Sequence, residues 1–554
     1  MTGFEDIRAA TARAALGAAL APRAGRFAAA LADPARAQER LRRRLVAGIA
    51  TTDYGRAHGI TGAEGYQEFR DRLPAVGFEA LRPWVDRQMA TRAPVLAPGP
   101  VRLYEPTSGS SGASKLIPYT DSLLEDFNEL FLLWAGDLVR HGPRFTSGRM
   151  FFSMSPPCHE RAWTASGAPV GLEDDAQYLS PWTRRIFGGC FVFPPGLKGI
   201  RDPFLFKLVL AAALVAEPHL EILSIWHPTY LIALLDFLRD HAGLLASSFA
   251  HGEILHRAGS VPLAPVTKDR LAQLRSSRLE WASLWPDLKL ISCWTDAGAA
   301  RFARDLAREF PSVLQQGKGL LATEAPLTVP RLGAPAPVPL LHRVFFEFED
   351  ENGGLFLLHQ LAEGQRYEVI VTQSAGLARY RLGDRVEVTG LHGRTPCLRF
   401  VGRGHDTSDL VGEKLAEEFV RRALERVFPG EGAFAVLAPT PGDGERPGYR
   451  CVTNQCPGSP EAVAERLEAA FGEAFHYRQA RFLGQLAPVS VEVRPDARDW
   501  YVGQLLGRGM RWGDIKYSAI LRPPHDTGCG WRLLRPVNGQ IAEAPPCCAG
   551  SQWP

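Results

Sequence analysis

The chain has 554 residues, 45% of them hydrophobic and 22% charged, which is the balance of a globular protein too long for one ordinary core. Sixty-three Lys and Arg residues against sixty Asp and Glu residues leave a net charge of +3. That bias is too small to favour nucleic acid or an anionic membrane surface as a partner. We therefore expect two or more domains and neither of those two partners.

The N-terminal segment, residues 1–50, is rich in Arg and Ala and poor in acidic residues, a composition shared with transit peptides. An amphipathic helix is the favoured interpretation, because apolar residues recur there at nearly helical spacing (Leu16, Leu20, Phe27 and Leu31). The segment lacks the continuous apolar h-region of a signal peptide, so secretion is not expected. The most apolar run, 205–216, is too short to span a bilayer and predicts a buried core helix.

Nine cysteines are scattered along the chain, and none forms a CxxC pair or stands near a histidine cluster. An odd, dispersed set of this kind is typical of a reducing compartment with unpaired thiols. The sequence therefore predicts a cytoplasmic protein in which cysteine binds no metal.

The first half of the chain changes from helices to alternating elements. Helical patterns dominate residues 5–90, where TTDYGRAHGI (51–60) predicts a turn between two helices. VRLYEP predicts a strand at 101–106, and DSLLEDFNELFLLWAGDLVRH predicts a long helix at 121–141. RMFFSMSP predicts a further strand at 149–156.

The middle of the chain continues this alternation and then turns β-rich. Residues 202–250 predict two strongly apolar helices, and LKLISCW (288–294) predicts a short buried strand. Such alternation indicates an α/β domain with parallel sheet character. Residues 341–402 are β-rich runs punctuated by Gly, Asn and Pro, a pattern typical of antiparallel hairpins.

The last part predicts a separate small α+β domain beyond a hinge near 402–408. A helix is expected at 415–428, the run AFAVLAP follows it, and a second helix is expected at 460–475. We predict a fold class of α/β plus α+β. The predicted organisation is a large domain at 1–402 whose β-rich part is 341–402, a small C-terminal domain at 408–522, and an irregular tail at 523–554.

The strongest local signal is the loop TSGSSGASK, residues 107–115, between the strand VRLYEP and the long helix. Its glycines let the backbone approach a ligand closely, and its hydroxyl groups add hydrogen-bond donors. Phosphate oxygens need several donors converging from a small volume, so the loop predicts a phosphate-binding site. It is not a Walker A loop, because no GK[ST] follows the second glycine, and it contains no G-x-S-x-G nucleophile elbow.

Three further segments follow this loop in order: GLLATEAP (319–326), EGQRYEVIVTQSAGLARYRLGDRVEVTG (363–390) and GEKL (412–415). Together they closely resemble the GH3 family of acyl acid–amido synthetases, of the bacterial type, within the wider acyl-adenylate-forming superfamily. TDYGR near the N-terminus and WPDLKLI (285–291) are also similar to that family, so the resemblance runs from about residue 38 to about residue 520. It implies a large adenylating domain and a small, mobile C-terminal domain.

The resemblance implies roles for individual residues around ATP. The loop would hold the β- and γ-phosphates through Ser110, Ser111, Gly112 and Ser114. Thr323 and Glu324 match the family's Ser/Thr–Glu pair, whose glutamate would hold Mg²⁺ as a single carboxylate ligand. Asp384 matches the aspartate that accepts hydrogen bonds from both ribose hydroxyls, for which a carboxylate has two suitable oxygens.

Basic residues also have roles that the resemblance implies. Arg403 lies where the family passes from the large to the small domain, where it either reaches a phosphate or fixes the hinge. Arg381 helps to order the YRLGD segment. Lys516, in RGMRWGDIKYSAIL (508–521), is the candidate cation that stabilises the adenylation transition state, with Lys414 as the next candidate.

The sequence departs from the family pattern at three places. Ala113 replaces a threonine in the loop, Leu320 replaces a tyrosine that stacks on adenine, and Tyr517-Ser518 replaces a proline after Lys516. The resemblance implies an ATP- and Mg²⁺-dependent ligase that adenylates a small carboxylic acid and transfers the acyl group to an amine, for which an amino acid is the expected acceptor. The alternatives are an acid–thiol ligase that uses the same adenylation step and a nucleotide-binding family member without catalysis.

Overall fold

A computed structural model describes residues 3–107, 115–153, 162–172, 178–192, 197–200, 202–256, 259–403, 407–408, 410–411, 413, 415–440, 446–482, 486–508, 510 and 512–521. Four of the phosphate-loop predictions (Ser110, Ser111, Gly112 and Ser114), Ala113, Lys414 and the tail from 523 lie outside these residues. Among the helices that are described, none combines the length and apolarity needed to cross a membrane.

The N-terminal region is helical, as predicted: α1 (Gly3–Ala32), α2 (Pro34–Ile49), α3 (Asp53–Ala57), α4 (Tyr66–Arg72) and α5 (Phe78–Ala90). Asp33 begins α2 by accepting a hydrogen bond from the Arg36 N–H at 3.2 Å. The predicted turn at 51–60 is wrong in part, because its centre forms α3. Thr52 caps that helix, and Gly55 passes so close to α2 that an added Cβ would lie 2.0 Å from the Ile49 carbonyl oxygen.

The next region holds β1 (Val101–Pro106), β2 (Leu116–Thr120), α6 (Asp121–His141), β3 (Arg149–Phe152), β4 (Ala162–Trp163), β5 (Pro169–Val170) and α7 (Pro181–Phe187). The long helix α6 has the predicted bounds, because Thr120 caps its first turn and Gly142 follows its last residue. The phosphate loop was expected between a strand and that helix. It instead joins β1 to β2, which pair antiparallel.

The region from 203 to 339 contains α8 (Pro203–Ala216), β6 (Leu220–Ser224), α9 (Pro228–Asp240), α10 (Ala242–His251), β7 (Glu253–His256), β8 (Gly259–Pro262), α11 (Lys268–Leu274), α12 (Trp281–Leu284), β9 (Leu290–Cys293), α13 (Ala300–Glu309), β10 (Leu314–Gly317), β11 (Leu321–Ala322), β12 (Ala325–Pro326), β13 (Thr328–Val329) and β14 (Val338–Pro339). The prediction of two helices in 202–250 is wrong, because three helices and β6 occupy that segment. The buried helix at 205–216 is confirmed as α8.

Three of these strands form a parallel sheet with β3, in the order β10-β9-β6-β3. This confirms the predicted parallel character. Their carboxyl ends therefore meet at one edge, which is where ligands bind in open α/β sheets.

The β-rich segment forms an antiparallel sheet in the order β16-β15-β17-β18-β19, as predicted. Its strands are β15 (Phe345–Glu349), β16 (Leu355–Leu357), β17 (Arg366–Thr372), β18 (Tyr380–His392) and β19 (Thr395–Arg403). Burial alternates along most of β18, so one face packs on the core shared with α1, α2 and α6.

The C-terminal region contains β20 (Thr407–Ser408), β21 (Leu415–Ala416), α14 (Glu417–Val427), β22 (Ala435–Thr440), β23 (Gly448–Thr453), α15 (Pro460–Phe471), α16 (Phe475–Phe482), β24 (Ser490–Val493) and α17 (Ala497–Leu506). The helix predicted at 415–428 begins two residues later, after β21. One apolar cluster lies wholly within residues 415–520. A second cluster joins this region to the helices around the parallel sheet through Phe434, Val436, Tyr501, Trp512 and Ile515.

Candidate functional site

The carboxyl edge of the parallel sheet presents two tryptophans and a lysine. Trp226 lies two residues beyond β6, Trp294 follows β9 directly, and Lys318 follows β10 directly. The backbone N–H of Trp294 donates to the Trp226 carbonyl oxygen at 2.9 Å, and the centroids of the two indole rings are 5.6 Å apart. The edge is therefore an aromatic surface with a fixed backbone beneath it.

Lys318 places a positive charge on this surface. Its Nζ donates to the Ser224 Oγ at 2.7 Å and lies 5.1 Å from the Trp226 ring centroid. Trp134 from α6 and Phe152 from β3 surround the same ammonium group at 5.8 and 6.0 Å. Rings that offer their π faces stabilise such a half-buried cation.

A polar row crosses the sheet just beneath the edge. Ser224, Ser292 and Gln316 are register partners on three adjacent strands. The Gln316 Oε1 accepts from the Trp134 indole N–H at 2.8 Å, which connects α6 to the row. In β6 and β9 this row directly follows the buried apolar residues Leu223 and Ile291.

The flanks of the phosphate loop are connected to the Thr323–Glu324 segment. The Thr107 N–H donates to the Lys115 carbonyl oxygen at 2.8 Å, which closes the base of the loop. Tyr119 in β2 donates its hydroxyl hydrogen to the Thr323 carbonyl oxygen at 2.6 Å. The strand that leaves the loop is thus bonded to the turn between β11 and β12.

Glu324 lies in that turn and is only 8% exposed. Tyr380 donates to its Oε1 at 3.2 Å, and the Gln373 side chain donates to its carbonyl oxygen at 3.2 Å. Both partners belong to the segment QSAGLARYRLGD, so two of the three matched motifs meet at this carboxylate. One oriented carboxylate fits Mg²⁺, which usually keeps several waters and phosphate oxygens as its other ligands.

A buried ion pair holds the YRLGD strand in place. Arg379 is left-handed, with φ of +46°, and its guanidinium contacts the Glu347 carboxylate at 2.9 Å. The same guanidinium donates to the Leu73 carbonyl oxygen at 2.6 Å. Arg381 binds Glu349 at 2.8 Å, in agreement with the ordering role predicted for it.

Asp384 and Arg403 are register partners in β18 and β19, which places the two predicted residues side by side on the backbone. Asp384 is 3% exposed. Three residues before Arg403, the Phe400 N–H donates to the Asp296 carboxylate, just beyond β9; burial raises the pKa of Asp296. This contact joins the end of β19 to the edge of the parallel sheet.

Lys516 comes from the C-terminal region and reaches the same edge. Its Nζ lies 4.4 Å from the centroid of the Trp294 ring, although the residue itself is exposed. The Tyr501 hydroxyl donates to the Lys516 carbonyl oxygen at 2.9 Å. Burial, with a smaller contribution from the Lys516 charge, lowers the pKa of the neighbouring His227 to about 3, so that imidazole is neutral.

Two of the departures from the family pattern have a structural account. Leu320 is 7% exposed and belongs to the main apolar cluster, so its side chain supports the β11–β12 turn from within. Tyr517 packs its ring 5.1 Å from that of Phe302 and donates to the Ala435 carbonyl oxygen. The residue after Lys516 thus anchors this segment against α13 and β22.

Trp226, Trp294 and Lys318 were not identified from the sequence. A signal was present, because LSIW (223–226) and ISCW (291–294) repeat a serine two residues before a tryptophan at the end of an apolar run. Those serines are the register partners Ser224 and Ser292. The repeat predicts that the two tryptophans are neighbours only when the two runs are known to be adjacent parallel strands.

Comparisons with known proteins agree with this arrangement. Residues 23–314 match the GH3 family N-terminal domain, and residues 338–403 match the GH3 family central domain. Indole-3-acetic acid-amido synthetase GH3.8 of Oryza sativa subsp. indica is 24% identical over 543 residues, which cover 88% of each chain. A human GH3 domain-containing protein is 27% identical over 66% of this chain and 65% of its own. The solved structure of GH3.15 acyl acid amido synthetase matches with a TM-score of 0.75 at 20% identity, over 90% of this chain and 94% of that one.

Proposed function

The chain belongs to the GH3 family of acyl acid–amido synthetases, and from this premise we propose that it adenylates a small carboxylic acid with ATP and transfers the acyl group to an amine. The observation that carries the proposal is the position of Lys516 over the carboxyl edge of the parallel sheet. In addition, the strand that leaves the phosphate loop and the YRLGD segment are both hydrogen-bonded to the Thr323–Glu324 turn. A cation delivered to such an edge suits a reaction in which negative charge develops on phosphate.

In the first step, a carboxylate oxygen of the acid attacks the α-phosphorus of ATP. The bond from that phosphorus to the bridging oxygen breaks, and pyrophosphate leaves with the electron pair. Lys516 stabilises the charge that develops on the carboxylate and α-phosphate oxygens. Its ammonium is held at the edge before the reaction, so little reorganisation is needed.

Substrate MgATP is held by the residues that the family resemblance identifies. Backbone and hydroxyl donors of the loop (Ser110, Ser111, Gly112 and Ser114) bind the β- and γ-phosphates. Asp384 accepts from the ribose hydroxyls, while Thr323 and Arg403 flank the nucleotide. Glu324 is the protein ligand for Mg²⁺, whose chemical contribution is to neutralise the phosphate charge.

In the second step, the amine nitrogen attacks the acyl carbon, the bond from that carbon to the phosphate oxygen breaks, and AMP leaves. The amine loses a proton to solvent or a base as the amide forms. We propose that the segment beyond the hinge near 402–408 rotates between the two steps, which takes Lys516 away from the edge and opens a path for the amine. Closure around the acyl-adenylate limits its hydrolysis.

The finer identity of the substrates and the setting rest on inference from relatives and composition. Relatives named as indole-3-acetic acid-amido synthetases, and a structure of the GH3.15 enzyme in complex with 2,4-DB, favour a small carboxylic acid. We propose an amino acid as the acceptor. We also propose a cytoplasmic location and a bacterial-type member, the former because the cysteines are scattered and unpaired in pattern.

The test is a pyrophosphate-release screen across aromatic and aliphatic acids, each with and without a panel of amino acids, followed by mass detection of the amide. Parallel reactions with coenzyme A in place of the amino acid test for an acid–thiol ligase. Lys516→Ala should slow adenylation by about 10²–10³-fold and spare amide formation from chemically supplied acyl-adenylate. Wild-type protein that binds ATP but releases no pyrophosphate with any acid would indicate a nucleotide-binding member without catalysis.

A further inference from the structure

We propose that Trp294 is a positioning residue for Lys516: its indole ring receives the lysine ammonium and holds that group at the carboxyl edge of the parallel sheet for the adenylation step. The proposal rests on the function proposed above, in which Lys516 acts in the first step only. It assigns to the aromatic edge a role that neither binds substrate nor transfers a proton.

The geometry singles out Trp294 among the aromatic residues at the edge. The Lys516 Nζ lies 4.4 Å from its ring centroid, within the range in which the π face attracts a cation. The Trp226 ring instead contacts Lys318, whose Nζ lies 5.1 Å from the ring centroid. The two tryptophans therefore have separate partners, one from its own sheet and one from beyond the hinge.

Trp294 is a fixed platform. Its N–H is bonded to the Trp226 carbonyl oxygen, and the Cys293 carbonyl oxygen on its other side accepts from the Lys318 N–H, both at 2.9 Å. These backbone hydrogen bonds attach residues 293 and 294 to the segments on both sides of them at the sheet edge. A ring has fewer rotatable bonds than a glutamate side chain. Less conformational entropy is therefore lost when Lys516 makes contact with it.

An aromatic partner also suits the chemistry better than an acidic one. A carboxylate in this place would neutralise Lys516 and compete with the α-phosphate for its charge, whereas a ring attracts the ammonium without neutralising it. The neighbouring His227 is buried and neutral, with a pKa near 3, so it does not repel the incoming lysine. The ring can therefore hold Lys516 without reducing its ability to stabilise phosphate.

The segment that bears Lys516 makes other contacts with the region around the parallel sheet. The effect of Trp294 on the lysine can therefore be separated from the docking of the whole segment. Trp512 packs on Tyr230 at 4.5 Å, and Tyr517 packs on Phe302 at 5.1 Å. The C-terminal region therefore stays docked through apolar contacts when Trp294 is changed. The loss falls on the placement of one ammonium group.

The decisive experiment is site-specific replacement of Trp294 by tryptophan carrying one, two and three ring fluorines. Fluorination weakens the negative π face and leaves the ring shape nearly unchanged. We expect adenylation, measured as pyrophosphate release, to fall stepwise by about 3- to 30-fold across the series. ATP affinity and the KM for the acid should stay constant, and amide formation from supplied acyl-adenylate should remain at least at the wild-type rate.

Trp281 in α12 provides the matched control, because Arg239 lies 5.0 Å over its ring away from the sheet edge. The same fluorine series at position 281 should leave adenylation unchanged. Adenylation rates that are flat across the series at 294 would overturn the proposal, as would equal losses in both half-reactions with Trp294→Leu. Because wild-type pyrophosphate release is measured first, a failure of the proposed function appears there, before any variant at 294 is compared.

Discussion

Replacing Arg379 should destabilise the protein far more than replacing Arg381, two residues away in the same motif. The Arg379–Glu347 pair is almost completely buried, with side chains 3% and 1% exposed, whereas Arg381 and Glu349 are 32% and 21% exposed. Arg379→Met leaves the Glu347 carboxylate buried with only the Tyr66 hydroxyl as a described donor, at 3.0 Å. Removing one partner of a buried pair costs about 3–5 kcal/mol of unfolding free energy, against about 0.2–1 kcal/mol for a solvated pair.

Urea unfolding of Arg379→Met and Arg381→Met, followed by tryptophan fluorescence and far-UV circular dichroism, measures both costs under one condition. The double variant Arg379→Met/Glu347→Leu should recover most of the loss, because no unpaired charge remains in the core. Equal midpoints for the two single variants would refute the reasoning. Such a result would mean that water or a side-chain rearrangement satisfies Glu347 once the guanidinium is gone.

Three further predictions concern the nucleotide site and its support. Asp384→Ala should weaken ATP binding by about 1.5–3 kcal/mol in calorimetry while thermal unfolding stays normal; unchanged affinity would show that the ribose role is wrong. Glu324→Gln should shift the Mg²⁺ titration of pyrophosphate release to higher concentration, since an amide is a poor ligand for a hard cation, and superimposable curves would count against it. Burial raises the pKa of Asp126 to about 7, so the folded state holds its proton where the unfolded state loses it, and wild-type stability falls as pH rises from about 4 to 7. Asp126→Asn should therefore gain stability relative to wild type as pH rises from about 4 to 7, by at most about 4 kcal/mol, and a constant difference would contradict the assignment.

Elements with strong local signals were predicted well from the sequence. Helix α6 has both predicted ends, because a wide apolar stripe, a threonine cap and a following glycine all agree. Strand β6 was missed because its five residues, all buried, lie between apolar helices α8 and α9 and have no period of their own. Short buried strands of this kind become recognisable only through their neighbours in the sheet.

In the candidate site, too, residues within a local motif could be predicted and contacts between distant segments could not. Glu324, Asp384 and Lys516 could be proposed as site residues because each lies in a motif whose residues are contiguous. The contacts between the motifs were not predictable, since Tyr119 and Thr323 are separated by 204 positions in the chain. Trp294 lies at the end of a predicted strand and had no role in the sequence analysis, because its partner Lys516 comes from the C-terminal region of the chain.

The apolar cluster that joins Phe434, Val436, Tyr501, Trp512 and Ile515 to the helices around the parallel sheet has a thermodynamic consequence. Any rotation that withdraws Lys516 must expose part of this surface to water, and so must carry a positive heat-capacity change. Apolar contacts weaken on cooling and strengthen in salts that are excluded from protein surfaces. Cooling should therefore favour undocking and sulfate should favour docking, so the balance between the two half-reactions will depend on temperature and solvent even where no group in the site titrates.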